Sequence, residues 1–199
     1  MKNLAFVLVL AATSLAARDG TMVAADAETI EVALTADLNG DGVDDHAAVI
    51  RRGEDQRMLR VVTTSSAGHN PAQVLILDPG PLVPATLKIE HNVLLLQELT
   101  GGTTAVATTH RFRWDEKLGA MRLIGLDAML YSRTFAHDAR DVSWNLLTGV
   151  LITRNQRLNK GDGDLAYDKT TTRTSRKRSP PIKLQDAPSG DDFFWPNQR

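Results

Sequence analysis

Apolar and polar residues alternate along most of the chain, the pattern of strands that bury one face. Ile30, Val32 and Leu34 alternate within Thr29 to Ala36 and predict a first strand, and the β-formers Ala47 to Ile50 predict a second. Gly53-Glu54-Asp55 turns the chain into a third, Met58 to Thr64, and Ser65 to Pro71 reads as a loop. Val74 to Leu77 is a short apolar run closed by Asp78-Pro79-Gly80-Pro81, which continues neither strand nor helix. Leu87 to Leu99 alternates again, and a turn at His91-Asn92 would split it into two strands. Thr100 to Thr104 is a turn, and Asp115 to Gly119 joins Ala105 to Trp114 with Met121 to Leu126 as a hairpin. Phe112 and Trp114 share one face of their strand, expected to be core, and Arg111 and Arg113 the other. Val142, Trp144 and Leu146 repeat the alternation, and Thr148-Gly149 turns the chain into Val150 to Thr153. Leu165 to Thr174 has little to bury and belongs at a sheet edge.

Few stretches carry a helical period, so the expectation is an all-β fold: an antiparallel meander forming a single sandwich-like or partial propeller-like domain. The domain is drawn over residues 29–174, with a C-terminal tail over 175–199.

The ends and the composition narrow the setting. Lys2, the apolar run Leu4 to Ala12 and the small-residue exit Thr13 to Ala17 have the order of a secretory signal peptide over residues 1–17, with cleavage after Ala16 or Ala17. The other reading of that stretch is a buried amphipathic helix. The run falls short of the ~20 apolar residues that span a bilayer. Export implies a periplasmic or secreted protein. With no cysteine, neither a disulfide framework nor a lipid-modified N-terminal Cys is available. A net charge of −1 points to neither nucleic acid nor an acidic membrane as partner.

Asp37-Leu38-Asn39-Gly40-Asp41-Gly42-Val43-Asp44-Asp45 is the stretch richest in chemistry. Numbered from Asp37, side-chain oxygens fall at positions one, three, five and nine (Asp37, Asn39, Asp41, Asp45), with the Val43 carbonyl at seven and Gly42 at the sharp turn. This is the ligand series of a Ca²⁺ loop. An EF-hand would place a Glu at position twelve and continue as a helix; here position twelve is Ala48, so the loop is expected to join two strands. The plainer alternative is an Asn-Gly and Asp-Gly turn, in which the crowded carboxylates repel without a cation.

The string DLNGDGVDD resembles the calcium loops of FG-GAP and VCBS-type repeats of secreted bacterial proteins, whose pattern is Asp-x-Asn/Asp-x-Asp-Gly-x-x-Asp. Those repeats occur in series and build propellers, whereas this chain holds one copy. The chain also resembles single-copy secreted bacterial proteins that pair such a loop with stretches like Phe112-Arg113-Trp114, Leu123-Ile124-Gly125 and Asn145-Leu146-Leu147-Thr148-Gly149. Neither group supplies catalytic residues to this sequence.

No other constellation competes. The five histidines, His46, His69, His91, His110 and His137, have no zinc-site spacing, and His110 reads as a half-buried strand residue. No nucleophile elbow or phosphate loop is present. Asp162-Gly163-Asp164 reads as a hairpin turn rather than a second ion site. Arg173, Arg176, Lys177 and Arg178 read as protection of an edge strand rather than a site for an acidic partner. Phe193-Phe194-Trp195 either docks on the domain or is offered to a protein partner, and docking is favoured because exposed aromatics are costly. The functional expectation is a non-enzymatic, calcium-binding exported module, structural or binding. The alternative is a periplasmic inhibitor or immunity-type protein that binds a secreted enzyme, and a hydrolase with an unrecognised site ranks last.

Overall fold

The computed structural model describes residues 28–66, 68–160 and 167–196. Residues 1–17, expected to be a signal peptide, and Asp162-Gly163-Asp164 lie outside the described residues. The chain is built of antiparallel strands in two main sheets. In order they are β1 (Glu28–Ala36), β2 (Asp45–Arg52), β3 (Gln56–Val62), β4 (Thr64–Ser65), β5 (Gly68–His69), β6 (Gln73–Ile76) and β7 (Thr86–Glu90). Then come β8 (Val93–Gly101), β9 (Thr104–Asp115), β10 (Ala120–Ser132), β11 (Ala139–Asn145), β12 (Val150–Leu158), β13 (Tyr167–Arg176) and β14 (Ile182–Lys183). The smaller sheet runs β1-β2-β3-β6, with β4 and β5 as a tiny hairpin inside the expected loop. The larger runs β7 to β13 as a continuous meander, open at both ends. Apolar residues of both sheets join one core, including Val49, Leu59 and Val61 from the smaller and Leu94, Leu96, Phe112 and Leu123 from the larger. The architecture is therefore the sandwich-like form of the expectation.

Two details follow from local chemistry. His91 and Asn92 both have positive φ, 50° and 60°, so the chain reverses in two residues between β7 and β8. In β1 the pairing with β2 slips between Ile30 and Val32, leaving Glu31 as a bulge residue. That bulge breaks the expected alternation: Val32 packs on the core, whereas Ile30 faces solvent at 54% exposure. Glu31 is turned inward with it.

The inward Glu31 meets the fully buried Arg57 of β3 as a fork, Nε donating to Oε2 at 2.8 Å and Nη2 to Oε1 at 2.9 Å. Arg57 Nη1 donates to Glu98 Oε1 of β8 at 2.6 Å and to the Asp78 carbonyl at 3.1 Å. Glu31 also accepts the Ala85 N–H. One guanidinium thus ties the two sheets together. Burial pushes Glu31 up, but Arg57 and the Ala85 N–H outweigh it and hold its carboxyl below the usual range. For Glu98 burial prevails over the Arg57 pairing and raises it.

The segment beyond residue 174 is woven into the domain. Ser175 and Arg176 complete β13 at the edge of the large sheet, as its poverty in apolar residues implied. β14 then pairs with Arg122 and Leu123 of β10, beside the stretch from Gly125 that β11 covers. Leu184, in the short 3-10 helix Leu184–Asp186, is fully buried. Phe193 closes a second one, Gly190–Phe193, and meets Trp144 edge-on at 6.2 Å. Lys177 Nζ sits 4.4 Å from the Trp144 ring centre, and Trp144 Nε1 donates to the Lys177 carbonyl at 2.8 Å. The aromatic cluster therefore divides: Phe193 docks, while Trp195 keeps 37% exposure and meets Phe194 edge-on at 6.1 Å.

Gly190 is where the tail comes closest to β9. A Cβ there would stand 2.1 Å from Thr108 Oγ1 and 2.9 Å from its Cγ2. Gly190→Ala is expected to lift the last turn off the sheet and expose Phe193, lowering unfolding free energy by about 1.5–3 kcal/mol. Urea unfolding of the two proteins checks this, and Ala in place of the exposed Gly102, where nothing lies within 4 Å, should cost far less.

Candidate functional site

The expected calcium loop connects β1 to β2, as the strand-formers after it required. Leu38 plants the loop in the core at 3% exposure. Outside that anchor the chain curls over its own side chains. Asp37 accepts the Gly40 N–H at 2.6 Å through Oδ1 and the Gly42 N–H at 2.9 Å through Oδ2. Asn39 Oδ1 accepts the Asp41 N–H at 3.0 Å, and Asp41 Oδ1 accepts the Val43 N–H at 2.8 Å. Gly40 and Gly42 both have φ of 82°, the left-handed region glycine enters without strain. Asn39 Nδ2 reaches Asp41 Oδ2 and the Thr64 carbonyl, each at 3.2 Å.

Asp45 has a different setting. It opens β2 on the same face as Ala47 and Val49, and it is fully buried. Its Oδ2 accepts the N–H groups of Leu38 at 2.8 Å and Asn39 at 3.2 Å, and its Oδ1 accepts that of Thr64 at 2.6 Å. Asp45 is thus an internal acceptor that closes the loop and fastens it to the start of β4 through Thr64. Such an arrangement satisfies three backbone donors that would otherwise be left without a partner where water is scarce.

The five residues singled out by spacing therefore fall into two groups. Asp37, Asn39 and Asp41 lie on the outer curl, with Val43 half-buried beside them. Asp45 lies beneath. The donor set is chemically suited to Ca²⁺, being made only of hard oxygens, and a carboxylate oxygen that accepts one N–H retains a further acceptor site. The geometry is another matter: among the described residues, no three His, Asp or Glu side chains converge as a metal would need.

Sequence reasoning missed the buried Arg57, Glu31 and Glu98 group. It also placed His110 only half in the core. His110 is 3% exposed, stacks on Phe112 at 5.8 Å, and shares a hydrogen bond of 2.9 Å with the Pro188 carbonyl through Nε2. A carbonyl only accepts, so Nε2 carries the proton. Burial lowers the His110 pKa, partly opposed by that carbonyl. Among the described residues no helix is long and apolar enough to cross a membrane. In comparisons with known proteins, no family model, curated protein or solved structure matches this chain.

Proposed function

We propose that this protein is an exported, non-enzymatic β-module whose β1–β2 loop binds Ca²⁺ through Asp37, Asn39, Asp41, the Val43 carbonyl and Asp45. The observation that carries the reading is the outer curl of that loop: oxygen side chains at alternate positions, with the backbone already wound about them by N–H donors. Calcium would neutralise the carboxylates that the curl carries, and the exported setting rests on the order of residues 1–17. In that role the ion takes the part a disulfide plays in many exported domains.

Thermal unfolding with added calcium and with chelator tests the reading. A ligand that binds only the folded loop stabilises it by about 2.7 kcal/mol at 100 times its dissociation constant, and by less at lower saturation. The melting temperature is expected to rise with calcium and fall with chelator. An unchanged melting temperature would mean that the loop is held by its hydrogen bonds alone.

The second reading, an inhibitor or immunity-type partner of a secreted enzyme, draws on Trp195. An indole left part-exposed beside Phe194, after Phe193 has docked, is the kind of residue that anchors protein interfaces. Capture of a secreted hydrolase by the wild type but not by Trp195→Ala would favour it.

A further inference from the structure

The tail does not fill all the space between itself and the sheets. A cavity of about 240 Å³ remains between the end of β6, the inner face of β8 and β9, and residues 185–189. Its wall includes Leu77, Asp78, Glu98, His110, Ala187 and Ser189. Leu96 and His110 are directly opposed across β8 and β9, so Glu98, two residues on from Leu96, shares their inward face.

Two polar side chains in this wall are more than nine-tenths buried, and one of them, His110, has a ring nitrogen without a partner. Glu98, at 8% side-chain exposure, engages Arg57 through Oε1 alone. His110, at 3%, uses Nε2 on Pro188 while its Nδ1 has no partner. With the proton on Nε2, Nδ1 can only accept. The nearby charge is one-sided as well. Arg57 is shared between Glu31 and Glu98, and among the described residues no lysine or arginine pairs with Asp78. Asp78 raises both Glu98 and the adjoining Asp191, in each case after burial itself. The pocket wants positive charge and hydrogen-bond donors. The wall also has an apolar side, Leu77 and Ala187, which suits a cation that carries an apolar stem.

We propose that this cavity binds a primary alkylammonium group, with its head against Glu98 and Asp78 and its apolar stem along Leu77 and Ala187. An ammonium brings three donors and a full charge, matching a wall of acceptors, and a short methylene stem matches the apolar side. The same chemistry is carried by a free small amine and by a lysine side chain of a partner. The site is independent of the calcium loop, which lies elsewhere on the smaller sheet.

The test is a titration of the full chain, ¹⁵N-labelled, with n-butylammonium, with 1-butanol as a neutral probe of the same shape, and with a capped Gly-Lys-Gly peptide. Butylammonium is expected to give saturable shifts at the amides of Glu98, His110 and Ser189, with butanol at least about tenfold weaker, as the loss of one charge-assisted hydrogen bond implies. Tighter binding of the peptide than of butylammonium would assign the site to a partner lysine, and the reverse to a free amine. Glu98→Gln is expected to weaken butylammonium about tenfold or more. Because that change also disturbs Arg57, Ala187→Phe, which fills the cavity and leaves the ion pairs in place, is the second variant, with native spectral dispersion as the check on folding. Wild-type affinity in folded Ala187→Phe, equal binding of butanol, or no saturable shift with either amine would overturn the proposal.

Discussion

Arg57→Met is expected to lower unfolding free energy by about 3–5 kcal/mol, because it leaves Glu98 a buried carboxylate without its cation and Glu31 with only the more distant Arg51 Nε, 3.6 Å away. The effect is large for a reason unrelated to the net worth of the ion group. Bringing three charges out of water costs nearly what their attraction returns, so removing all of them at once is far milder than removing one. The triple variant Glu31→Met, Arg57→Met, Glu98→Met should therefore recover most of the loss. Urea midpoints of the wild type, the single and the triple variant check both statements, and a triple variant no better than Arg57→Met would show that the group fixes the sheet-to-sheet geometry.

The same group makes stability depend on pH through two opposed contributions. Glu31 is held below the ordinary carboxyl value, so its contribution is present above about pH 4.3 and is lost as pH falls through its lower folded value. Glu98 is raised, so its effect runs the other way: it favours folding below the ordinary value and loses that contribution as pH rises through the folded one. Glu31→Gln should accordingly show a deficit at pH 7 that shrinks in acid.

Asp45→Ala is the other large expectation. It leaves the N–H groups of Leu38, Asn39 and Thr64 without their acceptor at a fully buried site, and hydrogen bonds to a charged acceptor contribute about 1.5–3 kcal/mol apiece. Allowing for partial relaxation and water entry, a loss of about 3–5 kcal/mol is expected without any calcium present. Asp41→Ala, on the exposed curl, should cost far less in the same buffer. Equal losses would mean that Asp45 is no more than one member of the outer series.

The contrast between these two aspartates explains what the sequence made legible. Spacing drew Asp37, Asn39, Asp41 and Asp45 as one set, because ligand series are counted along the chain. Strand parity already separated them, since Asp45 shares a face with Ala47 and Val49, and an aspartate in that row must find donors inside the fold. Parity likewise aligned Arg57 with Leu59 and Val61, and Glu98 with Leu94 and Leu96, so those two buried charges were visible in principle. Glu31 was not. Its inward turn depends on a bulge, which an unbroken alternation of Ile30, Val32 and Leu34 conceals. The meander was readable because each strand alternates and each turn carries its own residues. β10 ran on to Ser132 rather than ending at Leu126 because β9 and β11 continue to pair with it, a fact of tertiary contact rather than of local pattern. The tail escaped for the same reason: a strand as short as β14 has no period to detect.

Isothermal titration with Ca²⁺ of the wild type beside Asp41→Ala bears most directly on the proposed role. Asp41 lies on the exposed curl, so its replacement probes ligation with little disturbance of the fold. Saturable binding by the wild type is expected, with a dissociation constant of about 10⁻⁴ to 10⁻³ M, the range of extracellular calcium modules, and its loss in Asp41→Ala. No heat of binding in the wild type, or the same heat in both proteins, would contradict it.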